Sequence, residues 1–261
     1  MAFEDLVARG AVINEPEAML WYAVAVLNAG DAARAAQLAD KLIAEAAHRS
    51  AHTRQHGYGL AALVSLCRGE FDDVIRRGDD IRALVAANPD STFCLMGSVA
   101  IGYHAIAEIL AGRPLPADID DQVLCIMPAS APMQASSVMV PKVMTSDEAA
   151  FTEGLKAYQP GIPLRDRARV LDVCDLMPAT ALTILERWDE LEPVLHRLDT
   201  FNAGGALLAG AMATAIREER DHAHDGPQPR HVELKRRGFA GLSTLLSFRS
   251  AGISHGLPTR P

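Results

Sequence analysis

A turn of three residues recurs along this chain and limits what it can fold into. Ala29-Gly30-Asp31, Arg68-Gly69-Glu70 and Ala111-Gly112-Arg113 are versions of one turn, with the glycines 39 and then 43 positions apart. Each follows an apolar stripe of helical spacing: Leu20, Val24 and Leu27, then Leu60, Leu63, Val64 and Cys67, then Val99, Tyr103, Ile106 and Leu110. A further stripe follows each of the first two turns. After Gly30 it is Ala35, Leu38, Ala39, Leu42, Ile43 and Ala46; after Gly69 it is Phe71, Val74, Ile75, Ile81 and Val85. Apolar residues three and four apart bury one face of a helix. A glycine between two such stripes lets the chain reverse in the left-handed conformation. The pattern predicts an all-α fold of stacked antiparallel helical hairpins.

Composition agrees with this reading. Hydrophobic residues are 49% of the 261, yet aromatics only 5%. Alanine and leucine, both strong helix formers, carry the apolar load, and the β-branched runs that support sheets are scarce. Asn14 before Pro16 and Glu17 resembles a helix start with proline in the first turn. The formal charge of −8 argues against nucleic acid and anionic membrane surfaces as partners, since both demand a basic face. Cys67, Cys94, Cys125 and Cys174 are widely spaced, with no C-x-x-C pair, which suits buried thiols in a reducing cytoplasm. The N-terminal MAFEDLVARG does not read as a signal peptide, and no apolar run is long enough to span a bilayer.

The regularity fails between Gly112 and Arg187. Residues 127–144 hold Pro128, Pro132 and Pro141 together with Met127, Met133, Met139 and Met144, and suggest a helix interrupted at Pro141. Thr145 and Glu148 read as a capping box, and Gln159-Pro160-Gly161 as a break. Helices are expected from Leu164 to about Leu176 and from Ala179 to Glu186. Arg187-Trp188-Asp189 then takes the place of a glycine turn. Leu191, Val194, Leu195 and Leu198 form the next stripe, followed by a small-residue helix from Ala203 to about Glu219. Two short pieces, about 231–237 and 242–248, end the fold. Residues 1–249 thus read as a single helical-repeat domain with an irregular middle at about 113–163, and 250–261 as a flexible tail.

The strings LCRGEFDDVIRRGDDIRAL (Leu66 to Leu84) and LERWDELEPVLHRLD (Leu185 to Asp199) carry a family likeness. They resemble helical hairpins of the tetratricopeptide-like regions in actinobacterial LuxR-type and cyclase-linked ATPase regulators. ELKRRGFAGLSTLLSFR (Glu233 to Arg249) is similar to an ending seen there. The resemblance implies a right-handed solenoid scaffold with a regulatory, ligand- or partner-binding role. It implies neither ATP hydrolysis nor DNA reading, because the chain has no G-x-x-x-x-G-K-[ST] and no basic helix-turn-helix.

Few residues suggest chemistry. His48, His52 and His56 stand four apart, a spacing that brings imidazoles together on one helix, but Ser50 looks like a cap that breaks the run. His222 and His224, with Asp221, Asp225 and nearby His231, could chelate a metal or form a plain acidic loop. Gly204, Gly205 and Gly210 suit close helix packing better than an anion site. His104 and Glu108 share a helix face and form either an acid–base pair or a satisfied structural one. The flexible methionines could line a cavity or fill gaps in the core. The candidate ligand-binding residues are therefore Tyr103, His104, Met133 and Met139. No catalytic residue, cofactor or resident metal is expected, because no hydrolase, zincin or comparable signature occurs.

Three functions follow, the last a fragment-like regulatory domain that acts only with a separate ATPase or kinase. The first is a non-enzymatic binding module whose concave surface takes a protein, a peptide or a small apolar ligand, with homodimerisation left open. The alternative is an enzyme or self-resistance protein of specialised metabolism, using a pocket near residues 127–144.

Overall fold

A computed structural model of the chain describes residues 16–88, 93–117, 119, 131–145, 149, 152, 173–222 and 231–248. Those residues form eleven helices and no strand. They are α1 (Pro16–Asn28), α2 (Ala32–Ala46), α3 (Ala51–Arg68), α4 (Phe71–Ala86), α5 (Leu95–Leu110) and α6 (Ala131–Met144), then α7 (Val173–Ile184), α8 (Trp188–Ala203), α9 (Leu207–His222), α10 (Val232–Arg236) and α11 (Ala240–Leu246). None of the described helices is long and apolar enough to cross a membrane. The tail 250–261, the loop 223–230, Glu148 of the expected capping box and most of the irregular middle lie outside the described residues.

The recurring turn has one hydrogen-bond pattern. At Gly30, the glycine N–H donates to Leu27 O (2.9 Å) and the next N–H to Val26 O (3.2 Å). The same two bonds recur at Gly69, Gly112, Gly205 and Gly238, and at Glu186. Five of the six positions are glycines with φ between 82° and 97°; Glu186 adopts φ 55° with a side chain attached. This is the Schellman closure, which satisfies carbonyls that a helix end leaves open. The fourth turn is thus centred on Glu186, one residue before Arg187. Helix starts are capped by Asp31, which accepts from Arg34 N (2.8 Å), and by Ser50, which accepts from Thr53 N (3.2 Å).

Consecutive helices from α1 to α5 pack as antiparallel neighbours, and α1 also touches α3, as α3 touches α5. This places α3 and α5 in the centre. Every residue of α5 from Gly97 to Ile109 is buried, as is every residue of α3 from Gly59 to Cys67. Helix α6 lies between α5 and α7. It runs through Pro141 without a break. Pro141 cannot donate to the Ser137 carbonyl, and that carbonyl lies against Gly102 of α5, where a Cβ would not fit. Helix α7 likewise runs through Pro178, so the expected gap between Leu176 and Ala179 is absent. The hydroxyls of Thr180 and Thr183 donate to carbonyls one turn back (2.8 and 2.7 Å), which lets them be buried. The small-residue helix starts at Leu207 instead of Ala203, because Gly204 and Gly205 close α8.

The last helices return to the first. Helix α9 packs on α1 as well as on α8, and α11 packs on α3, α7 and α9. The turn glycines receive them. Leu207 Cβ and Arg237 approach Gly30, and Gly241 meets Gly69 so closely that a Cβ on Gly241 would strike Leu66 O.

Candidate functional site

A groove of about 380 Å³ opens where α2, α3 and α4 meet. Its apolar lining is Ala36, Ala39, Ala61 and Val64, and its charged lining is Asp40, Arg68, Glu70, Asp73, Arg76 and Arg77. Small residues keep it open, since each contributes no more than a few carbons at the helix junction. The polar side is held in place. Ser65 donates to Asp73 Oδ2 (2.7 Å), Arg76 also pairs with Asp73, and Arg68 pairs with Glu70 (2.7 Å). The Arg77 guanidinium lies 6.0 Å from the centre of the Tyr58 ring and 3.6 Å from Asp80, within reach of a cation–π contact. Three guanidinium groups and three carboxylates therefore face a small apolar patch. Alternation of small and charged residues on three separate helices gives this groove no sequence signature.

A second polar cluster joins α4 to α5. The His104 imidazole packs on Gly78, where any Cβ would collide with the ring. Arg82 Nη1 stands 3.1 Å from both ring nitrogens, Asp79 Oδ1 3.3 Å from Nε2, and Glu108 Oε1 3.5 Å from Nε2. Arg113 closes the cluster with a 2.7 Å bond to Glu108. Burial, reinforced by Arg82, pulls the His104 pKa below the ordinary imidazole value against Asp79 and Glu108. His104 is 4% exposed. The His–Glu pair expected from the sequence thus exists, buried itself and extended toward solvent by three residues on other elements, of which Asp79 and Arg113 are exposed.

The other predicted ligand residues fall elsewhere. Tyr103 and Met139 are fully buried in the core. The side chain of Met133 is outside the described residues, as is that of His222. Tyr103, His104 and Met139 do not line the groove. Of the three glycines expected to serve packing only Gly210 does, lying under Asn202; Gly204 and Gly205 form a turn, Gly205 at φ 97° with open space where a Cβ would stand. His231 is not an open ligand. It is buried, with Nδ1 3.0 Å from Ser243 Oγ and Nε2 3.0 Å from Glu219 Oε1. Its backbone N–H donates to Glu218 (2.6 Å). This group ties α9, α10 and α11 together.

Ser50 caps α3, so His48 lies in the turn before it while His52 and His56 share the helix. Their rings stand 4.5 Å apart, edge to face. Cys94, read from the sequence as one of four buried thiols, lies beside them. Cys67 fits that reading: burial pushes its thiol up to about 12. Comparison with known families, with curated protein sequences and with solved structures finds no match.

Proposed function

We propose that the chain is a non-enzymatic binding module on a tetratricopeptide-like scaffold, and that it takes a peptide segment of a protein partner in the α2–α3–α4 groove. The observation that carries this is the groove itself. Its volume of about 380 Å³ lies in the range of ligand sites, roughly 300–1,000 Å³. The small apolar patch suits one short aliphatic side chain. The surrounding guanidinium and carboxylate groups, balanced in sign, suit a peptide carrying both charges better than an anion or a lipid tail. Packing of α11 against α3 covers part of α3, whereas the groove between hairpins is open, which favours the groove. A regulatory role, as the resemblance implies, and a cytoplasmic location, as the cysteine usage suggests, belong to the same reading.

The enzyme alternative has less support. Of residues 127–144 the structure describes 131–144, and there Val138, Met139, Val140, Val143 and Met144 are core residues.

Peptide display against the full chain, followed by calorimetry with the selected peptides, tests the proposal. Ala36 is half-buried at the groove edge, so Ala36→Phe fills the groove from its rim. The selected peptides are expected to bind this variant at least tenfold more weakly, with the melting temperature little changed. Equal affinity for both proteins, or no selectable peptide, overturns the assignment.

A further inference from the structure

We propose that His52, His56 and Cys94 form a binding site for a single Zn²⁺ ion. One ligand atom from each of the three lies within 4.8 Å of the others. In tetrahedral zinc the Zn–N bonds are about 2.0–2.1 Å and Zn–S about 2.3 Å, which sets ligand atoms roughly 3.3–3.7 Å apart. Small side-chain rotations therefore bring the three to bonding distance. The set of two imidazoles and one thiolate is the borderline-soft chemistry that zinc prefers.

The backbone that carries these ligands is held in advance. His52 and His56 are one turn apart on α3, after its Ser50 cap. Gln55, between them in sequence, is fully buried, and its Oε1 accepts from Cys94 N (2.8 Å). That bond pins the start of α5 to the helix bearing both histidines. Gly97 makes room for the Gln55 amide, and Gly59 lets the Met96 backbone approach α3, since a Cβ at either glycine would collide. The two helix segments thus meet as closely as their backbones permit, and the ligand spacing follows from that contact. Burial grades from exposed His52 through half-buried His56 to buried Cys94. An ion therefore reaches the site from solvent while the thiolate is kept from it. Three protein ligands leave the fourth position to water, the arrangement of an open zinc site. On binding, the Cys94 S–H bond breaks, sulfur keeps the electron pair and bonds to Zn²⁺, and one proton passes to solvent. The site sits on the N-terminal half of α3, and the groove on the C-terminal half, so the two assignments stand independently.

The test uses the full chain, stripped with chelator under reducing conditions and titrated with Zn²⁺ against a chromophoric chelator, then with Co²⁺ as a spectroscopic stand-in. One Zn²⁺ per chain is expected, with about one proton released, as read by calorimetry in buffers of different ionisation enthalpy. The Co²⁺ form is expected to show a thiolate-to-cobalt band in the near ultraviolet and tetrahedral visible bands. His52→Ala, on an exposed residue, and Cys94→Ser should each weaken binding at least tenfold, and Cys94→Ser should abolish the thiolate band. His48→Ala should change neither. Absence of stoichiometric binding, or binding by Cys94→Ser at unchanged affinity, overturns the site. So does a cobalt spectrum without a thiolate band. If Cys94→Ser fails to fold, His52→Ala and the wild-type cobalt spectrum decide the matter.

Discussion

His104 shows how an enclosed titratable group sets a pH limit on the fold. Its ring rests on Gly78 between Arg82, Asp79 and Glu108, and burial with Arg82 lowers its pKa from 6.5. The unfolded chain therefore takes up a proton at a higher pH than the folded one does. The stability this confers is complete above pH 6.5 and is lost as pH falls through the lowered folded value. Urea unfolding from pH 8 to pH 5 should show a midpoint that drops below pH 6.5, and His104→Gln should show a smaller drop. A larger drop in the variant would mean that Asp79 and Glu108 outweigh burial. At this scale the sequence was only half legible. The His104–Glu108 pair could be read from its four-residue spacing, because both lie on one helix. Asp79, Arg82 and Gly78 could not, because they come from another helix. Cys94 was equally hidden: it reaches His56 across 38 residues through a helix contact.

The helices and their turns were the most legible part of the chain, because their signals are local. Apolar stripes marked the buried faces, and Gly30, Gly69 and Gly112 marked the reversals that the structure places at positive φ. The readings that failed concern two prolines, one helix start and one turn. Pro141 and Pro178 stay inside helices whose burial in the core offsets the lost bond. Glu186 performs a glycine's task with a side chain, so no glycine announced that turn. A left-handed residue costs roughly 1–2 kcal/mol unless it is glycine, while glycine adds roughly 0.5–1 kcal/mol of lost chain freedom. Glu186→Gly is therefore expected to stabilise the protein by about 0.5–1 kcal/mol, seen as a melting temperature raised by about 2 °C. A lower melting temperature would show that the Glu186 side chain contributes more than its backbone costs.

Whole-molecule closure left no mark in the periodicity, which describes each helix against its neighbours and says nothing of residues two hundred positions away. Yet α9 lies on α1 and α11 on α3, and the buried Glu219–His231–Ser243 group fastens those returning helices to one another. An open repeat array behaves as a chain of nearest-neighbour couplings, so damage at one end stays there. A closed one shares the damage. Gly241→Val separates the two cases, because its side chain cannot enter the contact with Leu66 O and Gly69. With Phe239, Leu242, Leu245 and Leu246 displaced from the core, the loss should be several kcal/mol, since overpacking alone costs about 1–3 and each large exposed side chain about 1.5–3 kcal/mol. Native-state hydrogen exchange reads where that loss appears. Amides of α1 and α3 should lose protection together with those of α9 and α11, as one cooperative unit. If protection falls only in α10 and α11, the returning helices are an appendage, and the first hairpins hold their fold without them.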